Sequence, residues 1–551
     1  MAKSAKKNLD EIRARKPSMI DSFASKYFPG WAASREQARY DREFSEAKRG
    51  ALMAVNNWNG SSKTRNGLKG WQTISASPDS TNNGELPELR DRSLDLARNT
   101  AIASGALNNV KMFVVGDKGP TLNAQLDGEA LGMSEERVEA TETLIQREFD
   151  LYFNNVEFDL ERSLPGADFC AQTVYSWFAS GDVFTIRSFV KRPGSPYGTK
   201  FQNIEAALCT NPDRTQDGSI PDKKVYEGAV GPVYAGIERD PQTNAPIAYY
   251  FQNKYSLDNK RNTSTAWSRV PAFDAKGRKN VIHMHIKDRP RQSRGVPYLA
   301  PIIEPLKQLG RYTDGELMAA VVSGMFTAFV KSDSGRNLNP IAGADATTSD
   351  SEGIEMGYGN VVSLKSNESI EFGQPGRPSE NFDPFVDSIL KQIGLALGQP
   401  KEILMKNFQS SYSAARAAML EAWRYFKTIR GMMERNWLEH VYTAFFEEAV
   451  ALSRIPAPGY LRADIRLQRI WLSREWVWPA QGMIRPEVEI KAFRQADEGG
   501  YMTKENITAQ LNGGDYMRNA PQRKKEAEIE KDIKEAGQTE SEKQGTAPNE
   551  G

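Results

Sequence analysis

Cysteine and histidine are scarce in this chain. Two cysteines, Cys170 and Cys209, and three histidines stand among 551 residues. Two cysteines build neither a disulfide framework nor a cysteine-rich metal site within one chain, and a reducing, cytosolic setting is the default. Net charge is missing too. Lys plus Arg number 72 against 71 Asp plus Glu, a formal net charge of +1. So balanced a chain does not coat nucleic acid by bulk positive charge, although local patches remain open to it. Long apolar runs are also lacking. The stretch LMAAVVSGMFTAFV, residues 317–330, is 14 residues long, short of the ~20 that cross a bilayer, so burial in protein is expected. The basic N-terminus, MAKSAKKNLDEIRARK, lacks the apolar core of a signal peptide and reads as a mobile arm.

Familiar catalytic signatures are absent as well. No G-x-x-x-x-G-K-[ST] occurs, so the phosphate cradle of a P-loop ATPase is missing. The fragment Gly60-Ser61-Ser62-Lys63-Thr64 lacks the spacing. Neither H-E-x-x-H nor G-x-S-x-G is present. His283 and His285 lie two apart on a predicted strand, so both side chains point to one face. With a third ligand from elsewhere they could hold zinc, which makes a metal-dependent hydrolase the enzymatic alternative. The other reading is a pair of strand residues hydrogen-bonded to their neighbours. His440 falls inside a predicted helix with no motif around it. Carboxylates are plentiful, but no spacing singles out a site. No cofactor is expected.

The chain does contain enough apolar residues, 39%, for a sizeable core. A helix is expected from Pro87, a residue suited to a first turn, through to Phe113. Further helices are expected over 134–153, from Asp168 to Gly181, and over 298–331, 382–397 and 413–452. Between 182 and 285 the pattern alternates and is broken by Pro, Gly, Asn and Asp, as in VFTIRSFV, PVYAGIE, PIAYYFQ and NVIHMHI, which is strand behaviour. Two short helices are expected around Phe23 and Phe44, followed by a Gly/Ser/Asn-rich loop to about residue 85. The charged tail from Gln522 is expected to be disordered at its end. The class is α+β, with a β-rich centre flanked by long helices.

Three constellations stand out. HMHIKDRPRQSRGVP, residues 283–297, places Lys287, Arg289, Arg291 and Arg294 within eight residues. Such a loop could meet phosphate or a carboxylate of a neighbouring chain, or simply be solvated. In the predicted helix that follows, Ala320, Gly324 and Ala328 recur every four residues, so another helix could approach closely. Met318, Val322, Met325, Phe326 and Phe329 lie opposite, and a helix apolar nearly all round needs partners on several sides. Burial within one domain or packing against copies in a ring would both serve. The third is NFQSSYSAARAAMLEAW. Ala415, Met419, Ala422, Trp423, Phe426, Ile429, Met433, Trp437, Val441 and Phe445 follow a 3-and-4 spacing. Arg416, Glu421, Arg424, Lys427, Arg430 and Glu434 fall mostly off that stripe. The serines ahead of it supply hydroxyls for the unpaired first N–H groups.

Several segments, in order, resemble the lambda-type phage portal proteins. LRDRSLDLARNTAIASGALNNVKMFVVGDKG is similar to that family's Arg-rich helix ending in a V-V-G turn. ADFCAQTVYSWFASGDVFTIR is similar to its helix and strand entry. GIERDPQTNAPIAYYF is similar to its central hairpin, with Ala245 where Arg is usual. VIHMHIKDRPRQSRGVPYLAPIIEPLKQLGRYTDGELMAA is the most specific match, with Arg291 where Gly is usual. FDPFVDSILKQIGLALGQPKEILMKNFQSSYSAARAAMLEAWRYF resembles its Gly-x-P turn and helix entry, with Ala414 where Ser is usual.

The resemblance implies a ring, commonly a dodecamer, at the portal vertex of the phage head, with assembly in the host cytoplasm. Double-stranded DNA would pass through its channel in packaging and ejection. The large terminase subunit, the major capsid or scaffold protein and head–tail connector proteins are the implied partners, with no membrane. It also implies a layout: an arm and flexible segment over 1–85, wing over 86–240, clip over 240–296, and stem helix over 297–331. Wing strands and a tunnel loop would follow over 332–381, tunnel helix and turn over 382–412, inner wing and crown helices over 413–520, and a disordered tail over 521–551. Arg289, Arg291, Arg294, Ala320, Gly324, Ala328, Gly398 and Arg416 are the candidates for subunit packing or the DNA channel. The turn at Gly398 is expected to reverse the chain and so to set ring geometry.

Overall fold

The computed structural model describes residues 69–253, 266–324, 328–332, 368–372, 382–407, 411–483, 485–512 and 519–531, with isolated positions elsewhere. The chain divides into two compact units, 1–76 and 77–551; the elements below belong to the second. The arm, the short helices around Phe23 and Phe44, most of 332–381 with its tunnel loop, and the tail beyond 531 lie outside the described residues.

A short helix, α1 (Pro78–Asn82), starts on the Ser77 hydroxyl, which accepts from the Ser80 N–H at 3.1 Å. The single helix expected from Pro87 is two, α2 (Leu86–Asn99) and α3 (Ala101–Val114). The break is Thr100, extended at φ −121° and ψ 119°, a β-branched residue at ease in that region. Ala103, Ala106, Leu107, Val110 and Val114 form the buried stripe of α3. Next come β1 (Thr121–Ala124), α4 (Glu135–Phe153) and α5 (Gly166–Ser180). Phe149, Tyr152 and Phe153 on α4 build an aromatic cluster with Phe158 and Phe445.

The β-rich centre holds two antiparallel sheets. The strands β2 (Asp182–Phe189), β3 (Thr199–Glu205) and β8 (Val281–His285) form one, ordered β3-β2-β8. The strands β4 (Val233–Tyr234), β5 (Ile237–Arg239), β6 (Pro246–Gln252) and β7 (Trp267–Pro271) form a meander. Alternation along a strand divides their cores. Val183, Ile282 and Met284 face the helices. Phe184 and Val281 face Ile237, Tyr249 and Phe251 of the meander. Within the segment over which the clip is expected, β8 pairs with β2.

From the body the chain leaves along α6 (Ile303–Gly324). The expectation that this helix runs to 331 is corrected here. Gly324 is its last residue, and Ala328 opens a strand, β9 (Ala328–Ser332), paired with β10 (Glu368–Phe372). Ala328 therefore does not share a helix face with Ala320 and Gly324. The physical reason is the run after Gly324: aromatic and β-branched residues favour a strand, and a four-residue recurrence of small residues does not by itself enforce helix. The chain returns along α7 (Phe382–Ala396), antiparallel to α6. Tyr312 in mid-α6 stacks on Phe382 and meets Phe385 edge-on, at 5.5 and 4.9 Å.

After the turn at Gly398 come α8 (Lys401–Leu404), α9 (Tyr412–Met433) and α10 (Glu439–Ala451). A π-helical turn, Glu434–Leu438, joins the last two without a break, so the expected long helix contains a local widening. Ala422, Phe426, Ile429, Met433, Trp437, Val441 and Phe445 are all buried as the stripe requires. Finally, α11 (Ile465–Trp471) leads to β11 (Arg474–Val477), which pairs with β1. Two further helices, α12 (Pro486–Glu498) and α13 (Lys504–Asn512), follow. Residues 519–531, partly within the tail expected to be disordered, are helical.

Candidate functional site

The root of the α6/α7 excursion is where sequence and structure converge, and two buried polar locks hold it. The first centres on Asp182, the opening residue of β2, fully buried. Arg294 donates to it through Nε at 2.6 Å and Nη2 at 3.1 Å, and the Gly295 N–H adds 3.2 Å. The remaining Arg294 hydrogens reach the carbonyls of Ala206, Cys209 and Ala235 at 2.6 to 2.7 Å. Arg90 on α2 donates to the Ser180 carbonyl at 3.0 Å and lies 3.5 Å from Asp182. One guanidinium thus ties β2, the loop before α6 and the edge of the meander together.

Burial alone would raise the Asp182 carboxyl, but the Arg294 and Arg90 charges outweigh it and hold it well below the usual range. Burial, then repulsion from Arg294, brings Arg90 down to about 10. A charge this deep is tolerated because it is paired and its hydrogen bonds are met.

Backbone geometry requires the same place to be tight. A Cβ on Gly295 would lie 1.9 Å from the Gly181 carbonyl oxygen, and one on Gly181 2.6 Å from that of Gly295. The end of α5 and the loop before α6 meet backbone to backbone.

The histidine pair borders this lock. His283 and His285 stack on each other at 4.1 Å, and His283 stacks on Phe184 at 4.3 Å. His283 Nε2 stands 3.5 Å from an Asp182 oxygen, too long for a good hydrogen bond. Among the described residues no group of three or more His, Cys, Asp or Glu could hold a metal ion. This argues against the hydrolase alternative. The Asp182 carboxylate beside the pair is already engaged by guanidinium, and burial with repulsion from His283 pulls His285 down to about 2.

The second lock centres on Gln399, also fully buried. Its Nε2 donates to the Ala106 carbonyl at 3.0 Å and the Tyr298 hydroxyl at 3.1 Å. Its Oε1 accepts from Asn109 at 3.2 Å, and Asn109 also donates to the Ile403 carbonyl. The Tyr298 hydroxyl donates to the Leu397 carbonyl. The turn that presents Gln399 is a Schellman cap: Gln399 N–H bonds to Gly394 O, and Gly398 N–H to Leu395 O. Gly398 takes φ +61° beneath the Tyr425 ring, the left-handed position for which glycine is suited. Tyr298 precedes α6 and Leu397 ends α7, so this lock closes the excursion at its base.

The sequence candidates divide between these places. Arg294 lies inside the chain, 1% exposed, so it is not available to phosphate. Arg289 and Arg291 are exposed. Arg289 donates to Thr81 at 3.3 Å, and Arg291 sits at φ +67°, the position where the resembled family has Gly. Ala320 is exposed on α6, and Gly324 ends it. Arg416 pairs with Glu489 on α12 at 2.7 Å. Arg430, off the apolar stripe of α9, is buried all the same and donates to the last carbonyls of α3, Val114 and Phe113, at 2.9 and 2.8 Å. Asp182, Arg90, Gln399 and Asn109 were not singled out from the sequence. For Asp182 and Gln399 the signal is a polar residue directly after a glycine, as in SGDVF and LGQPK.

A body carrying an out-and-back excursion, secured by filled polar networks, defines a structural class of protein. The family model described as "Phage portal protein, lambda family" matches residues 64–430, and the chain belongs to that family. Portal protein B of Escherichia phage lambda is 22% identical over 474 residues, covering 82% of this chain and 85% of its own. The portal protein of Escherichia phage N15 is 22% identical over 472 residues, covering 82% and 86%. Among solved structures, a chain from the "Neck of native GTA particle computed with C12 symmetry" gives a TM-score of 0.39 at 11% identity, covering 76% of this chain and 93% of that one. The protein is a phage portal protein, a structural and non-catalytic channel component of the virion. Among the described residues no helix is long and apolar enough to cross a membrane.

Proposed function

We propose that copies of this chain close into a ring, a dodecamer, through which double-stranded DNA is packaged and later ejected. The family match over residues 64–430 carries this reading. Support also comes from α6, whose Leu317, Met318 and Val321 are 66%, 64% and 49% exposed. They lie beyond the stretch of α6 that reaches α7. Apolar residues left bare on a projecting helix are what neighbouring copies would cover.

In the ring, residues 86–296 form the wing, because β8 belongs to its sheet. The α6/α7 pair forms the stem, and β9 and β10, between them in sequence, take the place of the clip. Residues 397–407 and the start of α9 turn toward the channel, with crown helices after them. The large terminase subunit, the capsid or scaffold protein and the head–tail connectors dock on the outer surfaces. Arg289, Arg291, Ala320, Gly324 and Arg416 serve subunit packing or the channel wall.

Mass measurement with end-on imaging of the purified full chain is the test. A closed ring is expected; a folded chain that stays at its single-copy mass of 61.5 kDa at assembly concentrations defeats the proposal.

A further inference from the structure

Several arginines of the C-terminal half are engaged within the chain. Arg416 pairs with Glu489, Arg454 with Glu148, and Arg474 with Glu439. Arg462, Arg466 and Arg469 differ. All three are exposed, and none makes an ion pair among the described residues. Arg466 and Arg469 are three apart on α11 and so are neighbours on one face. Arg462 lies in the 3-10 turn Tyr460–Arg462 just before it. Asp464, between them, is occupied as the cap of α11, accepting from the Leu467 N–H at 3.0 Å.

We propose that Arg462, Arg466 and Arg469 form a stripe that meets the phosphodiester backbone of DNA. The proposal rests on the reading that this portal protein handles DNA. Three exposed guanidiniums, each a planar fork of donors, suit phosphate oxygens better than lysine would. In a chain of net charge +1, no bulk attraction competes with such a local stripe. The stripe is also mild. Asp464 lies within it, and Asp127 and Glu129 sit at the turn Gly128–Leu131 against which α11 packs. Mixed charge weakens each phosphate interaction, which suits a surface along which DNA moves rather than stays.

The test compares the assembled full chain with the triple variant Arg462→Gln, Arg466→Gln, Arg469→Gln, binding a short labelled DNA duplex over a range of salt. Removing one phosphate-neutralising charge makes the slope of log K against log salt shallower by about 0.9. A slope shallower by about 2 to 3 is therefore expected, with the affinity at low salt falling at least tenfold. The pair Arg137→Gln, Arg147→Gln, exposed arginines elsewhere, is expected to change neither. Arg466→Lys with Arg469→Lys, which keeps the charge, is expected to retain the slope and so guards against misfolding as the cause. An unchanged slope in the triple variant overturns the stripe, as does an equal drop in the Arg137/Arg147 control. Normal DNA binding, with failure to bind an acidic head protein, overturns it in favour of a protein interface. Mass, measured first, separates these results from failure of the ring itself.

Discussion

At the residue scale, the informative side chains are the buried polar ones. Arg294 looked like part of a basic loop, yet it neutralises Asp182 and satisfies three carbonyls. Replacing it with Met keeps the length and leaves Asp182 with only the more distant Arg90 as a countercharge. Breaking a buried pair in this way costs roughly 3–5 kcal/mol, so the denaturation midpoint should drop sharply, and a midpoint within error of wild type would contradict the assignment.

The histidine stack makes a second residue-scale prediction. His285 is lowered to about 2 by burial first and then by His283, and His283 is also lowered. His285 stays neutral in the fold, and His283 takes up its proton at a lower pH than it would unfolded, where a histidine titrates at about 6.5. Stability is therefore fully present above that pH and lost as pH falls below it. The slope approaches about 1.4 kcal/mol per pH unit for each neutral imidazole. Denaturation midpoints at stepped pH should show this decline, and His285→Phe should flatten it.

At the element scale, the excursion is fastened by its ends. Tyr298, before α6, and Gln399, after α7, bond to each other, and Gln399 bonds to α3 as well. Two helices far apart in sequence from α3 therefore leave the body at one point. Gln399→Leu removes the amide while keeping bulk. Each buried partner left unsatisfied costs about 1–3 kcal/mol. Amide exchange in residues 393–405 should accelerate more than in α5, and uniform exchange would argue against a lock.

How legible these elements were follows from the physics of each signal. The stripe from Ala422 to Phe445 was readable because burial on one face of a helix has a fixed period. The end of α6 was not, because small residues every four positions suit either helix or strand. Thr100 was missed for a similar reason: a one-residue break leaves both flanking stripes intact. The burial of Arg430 was not legible because periodicity assigns a face but not what lies beyond it. Its guanidinium reaches the uncapped carbonyls of α3, an end that favours positive charge.

At the scale of the whole molecule, the bare apolar residues of α6 ask for neighbours. Leu317→Glu with Val321→Glu should leave the single-chain fold intact, since both positions are solvent-facing, and should abolish assembly. Sedimentation together with the circular dichroism spectrum reads both outcomes, and rings of normal yield would remove α6 from the interface.

The sequence by itself determined the α+β class, most of the helices and strands, and the family, because periodicity, turn residues and ordered motifs are written locally along the chain. Only the tertiary structure decided which charges are buried. It placed Arg294 and Arg430 inside, stacked the two histidines on each other, and closed the excursion through Gln399. A residue's burial depends on what the rest of the chain brings to it, and that is set by segments hundreds of positions apart.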